Sequence, residues 1–163
     1  MKKNYSLNLL KTLKRIDAIE KNCGCSRQKA WRMIKELEAK KLIWGYTTVY
    51  DEDKIGKKHF LLMIQRTHEK IDEKTVNMII STETEKMAKE FYITIETSAY
   101  LHGEYDWILT FIADDIKQAK RFSDRLNTMY LTGTKNISIL QTLMFVRKNY
   151  ILNPDRKKLK DFM

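Results

Sequence analysis

Between Lys58 and Val146 the apolar residues change period four times, from two to about three and a half and back, and this alternation constrains the fold most. Lys58 to Arg66 alternates, with Phe60, Leu62 and Ile64 on one face and Leu61 and Met63 on the other, which predicts a strand. Glu73 to Phe91 has helical spacing, with Val76, Ile79, Ile80, Met87 and Phe91 expected inward and Ser81-Thr82 as the point of breakage. Ile93 to Leu101 and Trp107 to Ala113 are expected strands joined across a turn at Gly103. Asp114 or Asp115 is placed to cap a helix with Ile116, Ala119, Phe122, Leu126 and Met129 inward. Ile137 to Val146 is the expected last strand. Strand, helix, two strands, helix, strand is the βαββαβ order of a ferredoxin-like α+β domain.

The first third has a different character. Leu7, Leu9, Leu10 and Leu13 begin a short helical pattern, and Asp17 to Asn22 carries a second. In Cys23-Gly24-Cys25-Ser26, Gly24 suits the left-handed conformation that ends a helix, and Ser26 is a good N-cap for the next. That next helix is expected from Arg27 to about Lys40, with Ala30, Met33, Ile34 and Leu37 on its inner face. Its opposite face centres on Gln28, Arg32, Lys35 and Ala39, flanked by Trp31 and Lys29. Helix, glycine turn, helix is the helix-turn-helix pattern. After it, Tyr46 to Tyr50 is aromatic and β-branched, hence an expected strand, and Asp51 to Lys58 is a polar linker containing Gly56. The expected organisation is therefore a helix-turn-helix domain with a β hinge over 1–50, a linker over 51–58, a ferredoxin-like domain over 59–150 and a basic tail over 151–163.

Charge follows the same division. Residues 1–58 carry 15 Lys and Arg against 7 Asp and Glu, residues 59–150 carry 12 against 12, and residues 151–163 carry 4 against 2. The net charge of +10 is thus concentrated at the front, which implies a module that meets a polyanion beside a neutral one. On the exposed helix face Gln28 suits the adenine edge and Arg32 the guanine edge of a base pair. Arg27, Lys29 and Lys35 suit phosphates, and so do the free backbone N–H groups at Ser26 and Arg27. The competing reading is a solvated charged face; the charge asymmetry favours double-stranded DNA.

The segment Cys25 to Glu38 (C-S-R-Q-K-A-W-R-M-I-K-E-L-E), followed by Leu42-Ile43-Trp44-Gly45-Tyr46-Thr47, resembles the recognition helix and hinge of the Lrp/AsnC (leucine-responsive, feast/famine) family of transcription regulators. Gly103-Glu104-Tyr105-Asp106-Trp107 is similar to the family's G-x-Y-D turn. The resemblance spans about residues 7–150 and departs in four places. The first helix is short, Met33 stands where an arginine is common, 67–95 is longer than usual, and the tail runs past the usual end. It implies a dimer that often assembles further, with Tyr46–Tyr50 pairing across the two-fold axis. It also implies binding of an amino acid or related small molecule near the turn, with His102, Gly103, Glu104, Tyr105 and Asp106 as contacts. Physically, Gly103 would admit close backbone approach and Asp106 would accept from an amino group. Equally, Gly103 serves a hairpin and Asp106 its hydrogen bonding.

Other chemistry finds little support. Cys23-x-Cys25 lacks a second ligand pair for zinc, and His59, His68 and His102 are scattered. Neither a nucleophile motif nor a phosphate-cradling glycine loop is present, so neither a cofactor nor catalysis is expected. Haem-pathway decarboxylases acting on sirohaem share the two-domain architecture, but would need basic and histidine side chains in the second domain, which here is neutral. A non-specific nucleoid coat is the other alternative, compatible with Arg156, Lys157, Lys158 and Lys160, although a frayed solvated end is the simpler account of that tail. The lack of a long apolar run and of a disulfide framework gives the expectation of a cytoplasmic protein without a membrane span.

Overall fold

The computed structural model describes residues 24–130 and 133–163. The expected helices before Gly24, and Cys23 of the paired cysteines, lie outside the described residues. Two compact units result. One takes the chain up to Val49 together with Arg147–Asn153; the other takes Tyr50–Val146 with Pro154–Met163.

In the first unit, helix α1 runs Arg27–Ala39. Ala30 and Ile34 are buried, and Cys25 and Leu37 pack against them. Beyond α1, the expected hinge strand Tyr46–Tyr50 is not a strand. Its residues have the composition of one, but a ladder needs a second strand, and among the described residues no strand pairs with it. The same unit contains a small hairpin, β5 (Arg147–Lys148) with β6 (Ile151–Leu152), turned through Asn149 and Tyr150 at positive φ.

The second unit is the βαββαβ arrangement. Its strands are β1 (Lys58–Arg66), β2 (Thr94–Tyr100), β3 (Trp107–Ala113) and β4 (Thr134–Gln141), in the spatial order β2-β3-β1-β4. All pairings are antiparallel. The strand-joining helices are α2 (Glu73–Ile80) with α3 (Glu83–Glu90), and α4 (Ile116–Met129). Period-two alternation on β1 puts Phe60, Leu62 and Ile64 into one core with Leu109 and Phe111 of β3, Met87 and Ala88 of α3, and Ala119, Phe122 and Leu126 of α4. Phe111 stacks on Phe60 at 5.6 Å and meets Phe122 edge-on at 5.1 Å. Such offset and edge contacts are the favoured aromatic geometries.

The differences from expectation have local causes. The chain breaks at Ser81-Thr82, where Thr82 adopts φ 60, and on the helix before the break Val76 and Ile80 face solvent, Ile80 at 73% exposure. From α2 the expected Ile79 does contact the core, joined by Met78, which was not expected there. On α4, Asp115 is the cap, accepting from Gln118 N, and Ile116 is exposed at the first helical position. Gln118 is buried in that turn because its amide serves backbone groups, accepting from Asp114 N at 2.5 Å and donating to Phe91 O at 2.8 Å. Strand β4 ends at Gln141 rather than Val146 because its partner β1 begins at Lys58: the register pairs Phe60 with Gln141, and past Thr142, whose amide donates to His59 O at 2.9 Å, little partner strand is left. The tail is not frayed. Arg156–Phe162 is a 3-10 helix, and Asp155 just before it pairs with Lys54 at 3.1 Å.

Candidate nucleic-acid interface and effector turn

Helix α1 begins where the sequence places it. Gly24 has φ +59, and the extended Ser26 accepts from Lys29 N at 3.4 Å. No acidic side chain occupies the first turn, so the positive end of the helix dipole is opposed by no charge of its own. Burial of Ala30 and Ile34 fixes the rotation of the helix. Arg27, Gln28, Lys29, Trp31, Arg32 and Lys35 are therefore all exposed, with Trp31 at 49%. The structure thus brings every expected DNA contact on this helix, with Ser26 as its cap, onto one solvent-facing surface.

Two residues missed by the sequence reading complicate that surface. Lys35 Nζ lies 2.8 Å from Glu38 Oε2 and 4.8 Å over the ring centre of Trp31. The other carboxylate oxygen of Glu38 accepts from the Tyr46 hydroxyl at 2.7 Å. Hydrogen bonding to Lys35 first, and to Tyr46 second, holds the Glu38 carboxyl below its ordinary value. Reciprocally, the Tyr46 phenol is pushed up to about 12, mainly by its bond to Glu38. The Lys35–Glu38 pair is legible as opposite charges at i,i+3. Nothing in the sequence signals Tyr46, which arrives through the turn after α1. There Lys41 takes φ 56, Leu42 N and Ile43 N return to Leu37 O, and Ile43 is buried.

The five expected effector residues lie at the β2–β3 turn. Gly103 has φ +152, a backbone region in which side chains are strained, while no atom lies within 4 Å of where a Cβ would stand. Glycine is required there by the backbone rather than by a close neighbour. Asp106 is stitched into the sheet. Its amide donates to Ile64 O, its carbonyl accepts from Leu101 N, and its Oδ2 accepts from Arg66 N at 2.8 Å. One carboxylate oxygen is therefore already engaged in hairpin structure. His102 and Glu104 are exposed and Tyr105 is half-buried. A groove of about 560 Å³ elsewhere in this unit is lined by Glu73, Lys74, Asn77, Met78, Ser81 and Glu83, and by none of the turn residues.

His59 was read only as a scattered histidine, yet it is buried, with Nδ1 2.7 Å from Thr142 Oγ1 and Nε2 3.2 Å from Glu96 Oε2. Phe145 meets its ring edge-on at 4.8 Å. Glu96 comes from the register shift between Ile95 and Thr97, which no periodicity foretells. Among the described residues no group of three or more His, Cys, Asp or Glu is arranged to hold a metal ion. None of the described helices is long and apolar enough to cross a membrane.

Similarity of shape agrees with this geometry. The L-Met complex of a transcriptional regulator from Neisseria meningitidis superposes with TM-score 0.63 at 12% identity, covering 91% of this chain and 94% of that one. An AsnC family transcriptional regulator from Agrobacterium tumefaciens gives 0.60 at 17% identity, with 93% and 97% covered. The chain has the Lrp/AsnC fold. LrpC of B. subtilis gives 0.60 at 15% identity, with 90% and 99% covered, so the Lrp/AsnC fold accounts for nearly the whole length. No protein-family model and no curated protein sequence matches the chain. The Lrp/AsnC likeness is thus one of fold, carried by structure at low identity.

Proposed function

We propose that this protein is a sequence-specific regulator of transcription that binds double-stranded DNA through α1. The observation that carries the reading is the single exposed surface of α1, on which Gln28 and Arg32 stand one turn apart among Arg27, Lys29, Trp31 and Lys35. Gln28 and Arg32 read base edges, while the lysines, Arg27 and the capped helix start at Ser26 position the helix on phosphates. The excess of basic residues over 1–58 supplies the field that attracts DNA, and the structural neighbours being transcriptional regulators supports the same reading.

Dimerisation through the second unit belongs to this proposal. The sheet face opposite the helix-covered core carries Leu61 and Met63 of β1, Ile108 of β3 and Leu140 of β4 in adjacent register. Leu140 is 46% exposed, and an apolar sheet face of this kind suits a second copy. A dimer sets two α1 helices on major grooves about one helical turn, or a multiple, apart. An amino acid or related ligand at the His102–Asp106 turn would bias their spacing. The Neisseria regulator's L-Met complex supports that class of effector.

The test is binding to the DNA upstream of the protein's own gene and to random DNA of equal length, at about 50 and 200 mM salt. The regulator reading expects a preference that survives the higher salt, relaxed at one base position and weakened by roughly 1–3 kcal/mol on Arg32→Ala. Equal affinities that collapse together would replace it with a non-specific coat. Absence of binding would remove it, and a shift of the porphyrin absorption band on mixing would then favour the tetrapyrrole enzyme.

A further inference from the structure

Beside the basic residues of α1 stands a carboxylate, Glu38, that would repel a DNA phosphate. At about 100° per residue, Trp31, Lys35 and Glu38 follow one another along a single stripe at the edge of the basic face of α1. A carboxylate in the last turn also opposes the helix dipole. Glu38 nevertheless has both oxygens engaged, Oε2 by Lys35 at 2.8 Å and Oε1 by the Tyr46 hydroxyl at 2.7 Å. The Tyr46 bond spans eight residues and ties the segment after the helix to the helix surface.

We propose that Glu38 is an internal stand-in for a DNA phosphate: it holds the Lys35 ammonium, Tyr46 holds Glu38, and a duplex gains Lys35 only by displacing Glu38. The inference rests on the DNA-binding reading of α1 and adds a regulatory contact to it. Trp31 contributes the third wall, since an ammonium over an aromatic face is attracted to it. Lys35 then counts for less than a free lysine in loose electrostatic encounters. It contributes fully only where the helix is seated closely enough for a phosphate to replace the carboxylate. The device weakens non-specific binding more than specific binding. Tyr46 makes the exchange sensitive to the placement of the segment that follows α1.

The experiment measures duplex affinity and its salt dependence for the full chain, for Glu38→Gln, for Lys35→Ala and for the double variant. Glu38→Gln keeps an acceptor for Tyr46 and removes only the charge, so the fold is retained. The expected result is an affinity about two- to five-fold tighter for random DNA at low salt, matching the strength of an exposed ion pair. That gain should largely vanish in the Lys35→Ala background. Lys35→Ala should lower the salt slope by clearly less than one in the native protein, and by about one when Glu38 is already Gln. Tyr46→Phe should give a smaller gain in the same direction as Glu38→Gln. An affinity unchanged by Glu38→Gln, or a gain equally large without Lys35, would overturn the stand-in while leaving the regulator reading in place. Failure of the native protein to bind any duplex would overturn both.

Discussion

Tyr46 and Glu38 offer the sharpest residue-scale test, because each displaces the other's titration in opposite directions. The phenol rises from an ordinary 10.0 to about 12, so its contribution is complete below pH 10 and lost as pH climbs through 12. The carboxyl is held below its ordinary 4.5, so its contribution is complete above that pH and lost as pH falls through the lowered value. Tyr46→Phe should therefore delete one late-ionising phenol from the absorbance titration. It should also move the Glu38 carboxyl, followed by NMR, part of the way back towards 4.5. A Glu38 titration indifferent to the substitution would mean the two do not meet in solution. In the core, Phe122 is fully buried against Phe111 and Phe91. Phe122→Ala should cost about 3–5 kcal/mol in denaturant unfolding, since the cavity cannot collapse among fixed strands.

At the scale of elements, the break between α2 and α3 is the most informative feature. Thr82 sits at φ 60, exposed, with its amide donating to Ile79 O and its carbonyl accepting from Lys86 N. A threonine in that conformation is strained by roughly 1–2 kcal/mol, and glycine is not. Thr82→Gly is therefore expected to stabilise the second unit by about 0.5–1 kcal/mol after its own entropic cost, read as a higher denaturant midpoint at unchanged slope. A lower midpoint would show that the threonine side chain contributes something other than strain. The break itself was legible as Ser81-Thr82, and so were Ser26 as a cap, the bounds of β3, the buried face of β1 and, beyond the exposed Ile116, that of α4. The orientation of α2 before the break was not. Val76, Ile79 and Ile80 share a helical face in sequence, but only the packing of α2 decides which of them reaches the core, and of the three it is Ile79. Likewise β4 was expected to run to Val146, because β-branched and apolar residues continue. It stops because β1, the strand it pairs with, begins at Lys58 and offers no further partner for the residues towards Val146.

For the whole molecule, the prediction concerns assembly. The outer sheet face of Leu61, Met63, Ile108 and Leu140 is apolar and only partly covered in a single chain. If it joins two copies, Leu140→Asp should yield monomers by sedimentation while leaving the second unit folded, because Leu140 lies on the face away from the Phe60–Phe122 core. DNA affinity should fall with it, since a monomer loses the second α1 helix. A Leu140→Asp protein that still sediments as a dimer would place the interface elsewhere. The hinge segment Tyr46–Tyr50 bears on the same point. It has strand composition without being a strand among the described residues.

Local features follow from the sequence alone: the period of each apolar run, the capping residues, the βαββαβ order of the second unit and the division between a basic front and a neutral remainder. These depend on neighbours within about four residues, which one chain read in order displays. It also displayed the exposed face of α1, because burial of Ala30 and Ile34 leaves that face no other orientation. Tertiary structure alone decided that Asp106 is anchored to Arg66 N, that His59 is buried between Thr142 and Glu96, and that Tyr46 closes on Glu38 beside Lys35. Each of these joins groups from different elements or across a turn. Their energies depend on distances of about 3 Å that sequence separation does not encode.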